Sequence, residues 1–198
     1  MPACYNTMLQ VLITSKTRVK LLCIFLDDPT SMYHVRELVR RSNEEINAVR
    51  RELMLLEKRG ILVREQRANR VYYYFEKTYP FYPDLIRVYA KISGLGADIL
   101  ENKVKLGKIK YAMLSGKFVR RIREKEGEVD LLVIGTVVLP ELSLLVRKEE
   151  ARRGKEINYT VMTEEEFNFR KKRRDPFITS IIYGSRVMIL GDEETMLV

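Results

Sequence analysis

The stretch MYHVRELVRRSNEEINAVRRELMLLEKRGILVREQRANRVYYYF, residues Met32 to Phe75, holds two short amphipathic segments followed at once by two basic, strand-like runs. In the first segment Val35, Leu38 and Val39 repeat at the i, i+3, i+4 spacing that gives a helix one buried face. Ser42 and Asn43 then break the pattern with two residue types favoured at helix N-caps, and Glu44 and Glu45 place negative charge where the positive end of a new helix would lie. A second helix is therefore predicted to start there. Its apolar positions Ile46, Val49, Leu53 and Leu56 form one core stripe, Glu44, Asn47, Ala48 and Arg51 fall on the opposite face, and Gly60 supplies the C-terminal stop. After Gly60, Ile61–Arg67 and Arg70–Phe75 read as strands joined by Ala68-Asn69, with Asn69 the residue that tolerates a left-handed turn.

Two helices and a hairpin in that order predict a winged helix inside a small α+β domain. In a helix-turn-helix, the start of the second helix meets base edges in the major groove while flanking basic residues hold phosphates. The expected DNA-contacting set is Asn43, Glu44, Asn47, Arg50 and Arg51 around the second helix, with Arg64, Arg67, Asn69 and Arg70 on the hairpin. An amphipathic helix with charged neighbours is by itself most often a packed surface helix, so the information lies in the ordered set. The segment also resembles the winged-helix repressors of the ArsR and MarR type through Val35-Arg-Glu-Leu38, Val49-Arg-Arg-Glu-Leu53, Leu56-Glu-Lys-Arg-Gly-Ile-Leu62 and Val71-Tyr-Tyr-Tyr74. That resemblance covers roughly the first 90 residues, the span of one small domain, and implies double-stranded DNA as the partner.

Composition fits this reading. The chain has 198 residues, 46% apolar and 32% charged, and no apolar run of bilayer length. Met1 to Ser15 lack the basic start, long apolar centre and cleavage site of a secretory signal, which makes the cytoplasm the expected location and leaves no membrane partner. Cys4 and Cys23 are outside any zinc-type spacing and are expected to be reduced and partly buried. His34 has no second histidine to share a metal with, so a hydrogen-bonded structural role is expected, and neither metal nor cofactor is implied. The net charge of +9 is uneven: residues 1–92 hold 16 Lys/Arg against 10 Asp/Glu, and residues 93–198 hold 20 against 17. A basic excess centred on the first part suits a polyanionic partner.

Past the hairpin, Pro80 and Pro83 precede a helix at Asp84–Ile92. In dimeric winged-helix proteins such a trailing helix packs against its twin, so Tyr82 to Ile92 is the expected homodimer contact. Ser93-Gly-Leu-Gly96 reads as a linker between domains spanning 1–92 and 97–198. The second domain alternates helix and strand, which predicts a small α/β sheet domain: a helix at Ala97–Leu106, strands at Ile109–Leu114 and Val129–Ile134, a helix at Leu139–Arg153, a strand at Ile157–Met162, helices at Glu164–Arg173 and Phe177–Tyr183, and a strand at Arg186–Leu190.

Within it, Gly127-Glu-Val-Asp-Leu-Leu-Val-Ile-Gly135 carries the chemistry if any segment does. Glu128 and Asp130, two apart in a strand, would leave one face together, and Glu156 would add a third carboxylate, as two-metal nucleotidyl transfer requires. The bland alternative is that such acids mark where an apolar strand leaves solvent. Here the sequence looks like the minimal nucleotidyltransferases of the polymerase-beta type, on Asp130-Leu-Leu-Val133-Ile-Gly135, Lys155-Glu-Ile-Asn-Tyr-Thr-Val161, Glu165-Glu-Phe167 and Arg170. The family's Gly-Ser is Ser115-Gly116 here, its Arg-Gly pair is absent and its first motif aspartate is Glu128. Ser115, Gly116, Glu128, Asp130 and Glu156 thus read as a vestigial nucleotide and metal site, with Mg²⁺ a cofactor only if the site were active. Arg170-Lys-Lys-Arg-Arg174 reads as a solvated helix end ahead of a phosphate contact.

Together these features predict a cytoplasmic, homodimeric DNA-binding transcriptional regulator. Its degenerate C-terminal domain would serve dimerisation or bind a small molecule or protein partner. The alternatives are an active Mg²⁺-dependent nucleotidyltransferase targeted by its winged helix, and an antitoxin-like DNA-binding protein.

Overall fold

The computed structural model describes residues 13–122 and 128–197. Cys4 and Gly127, both weighed above, lie outside the described residues. The chain divides into two compact units, the first ending at Tyr89 and the second starting at Ala90.

The first unit is built on α1 (Lys16–Asp27), whose Val19, Leu21, Leu22, Cys23, Ile24, Phe25 and Leu26 are all buried. An unbroken apolar run from Leu21 to Leu26 covers every side of the helix there, which places that part of it at the centre of a core. Around it stand β1 (Tyr33–His34), α2 (Val35–Ser42), α3 (Ile46–Lys58), β2 (Leu62–Arg67), β3 (Arg70–Phe75) and α4 (Tyr82–Ile92). The sheet order is β1-β3-β2, antiparallel throughout, with Tyr33 opposite Tyr73 and a hairpin register running from Leu62 opposite Phe75 to Arg67 opposite Arg70. Leu38 of α2, Val49, Leu53 and Leu56 of α3, and Leu62, Tyr73 and Phe75 of the hairpin complete the core. Each fully buried side chain of this kind contributes about 1.5–3 kcal/mol. On α4, Tyr82 packs its ring 5.2 Å from that of Phe75, and the Tyr89 hydroxyl donates to the Asp27 carboxylate at 2.8 Å. The unit thus runs helix, strand, two helices and an antiparallel hairpin, and α1 lies ahead of Met32, outside the elements expected from the sequence.

Several local expectations change. Ser42 is the last residue of α2, and Asn43, at φ 52° and ψ 47°, caps that helix from the left-handed region with its N–H on the Val39 carbonyl, so neither residue is the N-cap of α3. Glu44 and Glu45 precede α3 rather than forming its first turn, and Ile46 is only half-buried. At the other end of α3, Gly60 lies at φ +70° with its N–H on Glu57, while the Ile61 N–H bonds to Leu56, which is the Schellman closure. In the hairpin the positive φ belongs to Ala68 at 48°, not to Asn69.

In the second unit, Ser93–Gly96 is not a linker. Gly94 opens α5 (Gly94–Glu101), and Leu95 and Gly96 are buried. A Cβ on Gly96 would sit 1.9 Å from the Ala90 carbonyl, so this glycine permits close packing rather than flexibility. There follow β4 (Gly107–Ser115), the short α6 (Gly116–Val119), β5 (Leu131–Val137), α7 (Leu139–Arg153), β6 (Tyr159–Met162), α8 (Glu164–Lys172), α9 (Pro176–Tyr183), β7 (Arg186–Leu190) and α10 (Glu193–Leu197). The sheet order is β6-β5-β4-β7; β5 and β6 run parallel with α7 as their crossover, and β4 is antiparallel to both its neighbours. Strand alternation divides the core. Tyr111, Met113, Leu132, Ile134 and Met188 pack with Phe167, Ile178 and Met196 of α8, α9 and α10. Another set includes Ile189 of β7, which α5 meets at Gly96.

One charged cluster is buried in this unit. Glu149 of α7 is 1% exposed, accepts from Arg152 at 2.7 and 2.8 Å and from Arg153 Nε at 2.6 Å, and lies beside Gly94. Arg153 in turn stacks 3.8 Å from the Phe118 ring centroid and donates to the Phe118 carbonyl, tying α7 to α6. Burial alone pushes the Glu149 carboxyl up, but the two guanidinium groups outweigh it and hold the group below the ordinary carboxylate range. A carboxylate with a depressed folded pKa contributes stability above its unfolded pKa and loses it as pH falls through the folded value. Glu149→Gln is expected to cost about 3 kcal/mol near neutral pH, because it leaves buried cations uncompensated, and to shrink that difference from wild type in acid. Urea denaturation of both proteins across the acid limb measures it.

Candidate nucleic-acid interface and C-terminal cleft

The turn that delivers α3 is fixed from below. Lys20 of α1 donates to the Ser42 carbonyl at 2.9 Å and pairs with the Glu44 carboxylate, to which Thr17 also donates. The Lys20 hydrogen bond is the main reason that the Glu44 carboxyl is held below its ordinary value. Glu44 therefore faces α1 and belongs to the scaffold, which removes it from the outer face assigned to it from sequence. Arg18 and Ser15 likewise engage Glu52 of α3, at 2.8 and 2.5 Å. His34 caps α2, its Nδ1 accepting from the Glu37 N–H at 3.2 Å.

The opposite side of α3 carries Asn47, Arg50, Arg51 and Met54, all exposed, at the i, i+3, i+4, i+7 spacing of one helix face. Met54 is 65% exposed, far more than a core residue, and sits in the middle of that face. Arg50 converges with Arg36 of α2 and with Asn69 and Arg70 of the hairpin tip around a groove of about 580 Å³. Arg36 was missed from sequence because it falls inside an amphipathic helix; its signal is its place at the start of α2, next to the β1–β3 pairing that brings the hairpin close. Among the described residues, Arg36, Arg50, Arg51, Arg64 and Arg70 have neither an ion pair nor a side-chain hydrogen bond, although all five are exposed. Arg67 differs, since its guanidinium pairs with Glu65 at 2.6 Å. The register also separates the three hairpin arginines: Arg64 opposes Tyr73 on the core-facing side, while Arg67 and Arg70 oppose each other. Asn43 is exposed, but its main task is the left-handed turn.

The C-terminal cleft encloses about 310 Å³ and is lined by Ser115, Lys117, Arg120, Glu128, Asp130, Ser185 and Arg186, among others. Ser115 caps α6, its hydroxyl accepting from the Phe118 N–H at 3.1 Å. Gly116 donates its N–H to the Ser185 carbonyl, and a Cβ there would lie 2.0 Å from Ser185 Oγ, so only glycine fits. Strand β5 starts at Leu131, which places Glu128 and Asp130 in the approach to the strand rather than in it. Glu128 is ion-paired with Lys117. Asp130 is 2% exposed, and its Oδ2 accepts from the Asn158 N–H at 2.9 Å, while the Asn158 side chain bonds the Glu128 carbonyl. Glu156 is exposed and does not line the cleft. Asn158, two residues beyond Glu156, is the residue that engages the approach to β5, through its N–H to Asp130 and its side-chain amide to the Glu128 carbonyl. The donors are engaged differently from those of an open two-metal centre: the Glu128 carboxylate is paired with Lys117, the Asp130 carboxylate gives its Oδ2 to the Asn158 N–H, and among the described residues no three carboxylate, histidine or cysteine groups come together.

No protein-family model matches the chain, and no curated protein matches it. Two solved structures are similar to part of it. Reduced HlyU from Vibrio cholerae shares 23% identity over 48% of this chain and 83% of its own, with a TM-score of 0.31. A possible transcriptional regulator from Methanosarcina mazei shares 17% identity over 50% of this chain and 85% of its own, with a TM-score of 0.34. Among the described residues, no helix is long and apolar enough to cross a membrane.

Asn43 offers a way to separate scaffold from contact. Asn43→Ala puts a Cβ without a compensating polar group into the left-handed region and is expected to lower stability by about 1 kcal/mol, whereas Asn43→Gly retains the wild-type midpoint. Thermal denaturation of the two variants decides it.

Proposed function

We propose that the first unit is a winged-helix reader of duplex DNA and that the protein is a cytoplasmic transcriptional regulator acting as a homodimer. The observation that carries this reading is the set of exposed arginines without intramolecular partners, gathered at α3, the start of α2 and the hairpin tip. Three acids near these arginines are engaged elsewhere: Glu44 and Glu52 face α1, and Glu37 pairs with Arg41. Cations left unneutralised in this way match a row of phosphates. Asn47 and Arg51, on the outermost face of α3, suit base edges; Arg36, Arg50 and Arg70, around the groove, suit the sugar-phosphate backbone.

The two roles differ in how they fail. Arg51→Ala is expected to relax discrimination between specific and random duplex by about 1–3 kcal/mol. Arg70→Ala is expected to weaken binding to both and to reduce the slope of log K against log salt by about 1. Fluorescence anisotropy at several salt concentrations measures both; equal losses on both duplexes from Arg51→Ala would remove that residue from base reading.

The dimer is supported by α4 and the residue before it. Phe81 is 62% and Val88 42% exposed, with the half-buried Leu85 between them on one face, while Tyr82, Ile86 and Tyr89 point into the core. Two such apolar faces meeting across a two-fold axis would space two half-sites. Val88→Glu is expected to yield a folded monomer by light scattering, because a carboxylate there faces its own copy across the axis. A dimer unchanged by this substitution would place the interface elsewhere.

For the second unit we propose a degenerate nucleotidyltransferase-like domain that binds a ligand or partner rather than transferring nucleotides. The run β4, α6, β5, α7, β6, with Ser115-Gly116 leaving β4 and Asp130 entering β5, supports the kinship. The engagement of Glu128 by Lys117 and of Asp130 by Asn158 supports the loss of catalysis.

A further inference from the structure

The corner between α8 and α9 carries Arg170-Lys-Lys-Arg-Arg174. Three of these five cations have internal work. Arg170 pairs with Glu166 at 2.7 Å, Lys171 donates to the Met196 carbonyl at 2.8 Å, and the Arg173 guanidinium lies 4.5 Å from the Phe169 ring centroid. Cations in the last turn of a helix also complement its dipole, and α8 has the matching acids Glu164, Glu165 and Glu166 in its first turn. That accounts for Arg170, Lys171 and Lys172 as helix-end residues. It does not account for Arg174.

Arg174 sits at φ 52°, one residue beyond the cap. Its N–H bonds to the Lys171 carbonyl and the Asp175 N–H to that of Arg170, each at 3.0 Å, so it occupies the left-handed position of a Schellman closure. Glycine is the residue that adopts this conformation without cost. Arg174 instead holds a charged side chain in solvent, and among the described residues neither its side chain nor that of Lys172 has an ion pair or hydrogen bond. The nearby acid Asp175 is turned inward, its Oδ1 accepting from the N–H groups of Phe177 and Ile178 at the start of α9. On the same helix, Lys171 and Lys172 line a second cleft of about 440 Å³ with Lys110 and Asn168.

We infer that this corner is a second contact of the protein with the phosphodiester backbone of duplex DNA, independent of base sequence, with Lys172 and Arg174 as its leading groups. The inference rests on the duplex-binding reading of the whole protein but not on which helix reads bases. Two exposed cations whose side chains have neither an ion pair nor a hydrogen bond among the described residues, on one corner of the unit, fit phosphates spaced along a strand.

The test uses the full chain with Lys172→Ala and Arg174→Gly combined, titrated on specific and random duplex over a range of salt. Two lost phosphate contacts should reduce the salt slope by about 1.8, since each contributes roughly 0.9, and equally on both duplexes. Arg174→Gly alone should unfold at the same temperature as wild type or higher, so a weaker complex cannot be assigned to misfolding. Lys103→Ala with Lys105→Ala, two exposed cations of the same unit, is the charge-matched control and should leave the slope unchanged. An unchanged slope in the 172/174 variant, or an equal fall in the control, overturns the inference. If the 172/174 variant instead loses only its binding to vesicles containing phosphatidylserine, the corner serves a lipid surface and the inference is likewise overturned. Arg51→Ala, run in parallel, keeps the two readings apart: loss of discrimination there with an unaltered slope in the 172/174 variant sinks this inference alone, and the reverse result sinks base reading by α3 alone.

Discussion

Lys20 holds the first unit in working order. Its ammonium reaches from the central helix α1 to the last carbonyl of α2 and to the Glu44 carboxylate, and so fixes both sides of the turn from which α3 emerges. Without that anchor the turn would rely on the Thr17 hydroxyl bond to Glu44 and on Asn43, a left-handed residue with one backbone bond. Arg18 and Ser15 repeat the device one turn earlier through Glu52. The direction of α3 is thus set by half-buried polar contacts to a helix whose C-terminal half is an apolar run, and a charge-assisted hydrogen bond is about twice as strong as a neutral one. The same contacts consume the acids that would otherwise sit beside Arg50 and Arg51. Orientation and surface potential therefore have one cause.

The second unit treats its charges the other way. In its cleft Lys117, Arg120, Glu128 and Arg186 bind one another or nearby polar groups: Lys117 to Glu128, Arg120 to Gly116 and Ser185, and Arg186 to Glu193 and to the carbonyls that close α9. A site for a triphosphate and two metals needs such groups preorganised toward the ligand, because positioning and electrostatic stabilisation supply most of the catalysis in that chemistry. Here they are organised toward one another. Arg153, through Glu149 and Phe118, reinforces this closed state from the α7 side.

What the sequence made legible follows the strength of its periodic signals. The α2, α3 and hairpin elements were readable because each is half-exposed, so burial and polarity alternate with the element's own period. Helix α1 was not, because Leu21 to Leu26 form an unbroken apolar run that has no periodicity to read. The turn residues misled for a related reason: Ser42 and Asn43 are N-cap types, but Asn also accepts the left-handed conformation that ends a helix, and only the position of Lys20 decides which role it takes. At Gly96 the sequence suggested flexibility where the requirement was space for the Ala90 carbonyl. In the candidate site the basic residues were legible as residue types, yet pairing was not. Arg67 and Arg70 look equivalent in the sequence and differ in the structure because strand geometry gives Arg67 a glutamate two residues away. The acids of the cleft were found by motif, whereas their engagement by Lys117 and by the Asn158 N–H became visible only in the structure.

Left-handed helix ends give a common scale for these choices. Gly60 and Arg174 occupy the same position of the same closure, and nothing lies within 4 Å of where a Cβ on Gly60 would be, so the backbone angle alone accounts for glycine there. Position 174 adopts a similar angle, 52° against 70°, while carrying a long cation. For an ordinary side chain the left-handed region costs roughly 1–2 kcal/mol per residue, a sizeable share of the 5–15 kcal/mol that stabilises a typical domain. Asn43 lies between the two, since a short polar side chain lowers the cost and its exposed amide faces the same solvent as Asn47. Local preference and observed residue agree at Gly60, agree in part at Asn43 and conflict at Arg174. Ala68 at 48° and Arg121 at 54° also accept this angle, so what sets position 174 apart is not the angle alone but the exposed cation it carries, whose side chain has neither an ion pair nor a hydrogen bond among the described residues.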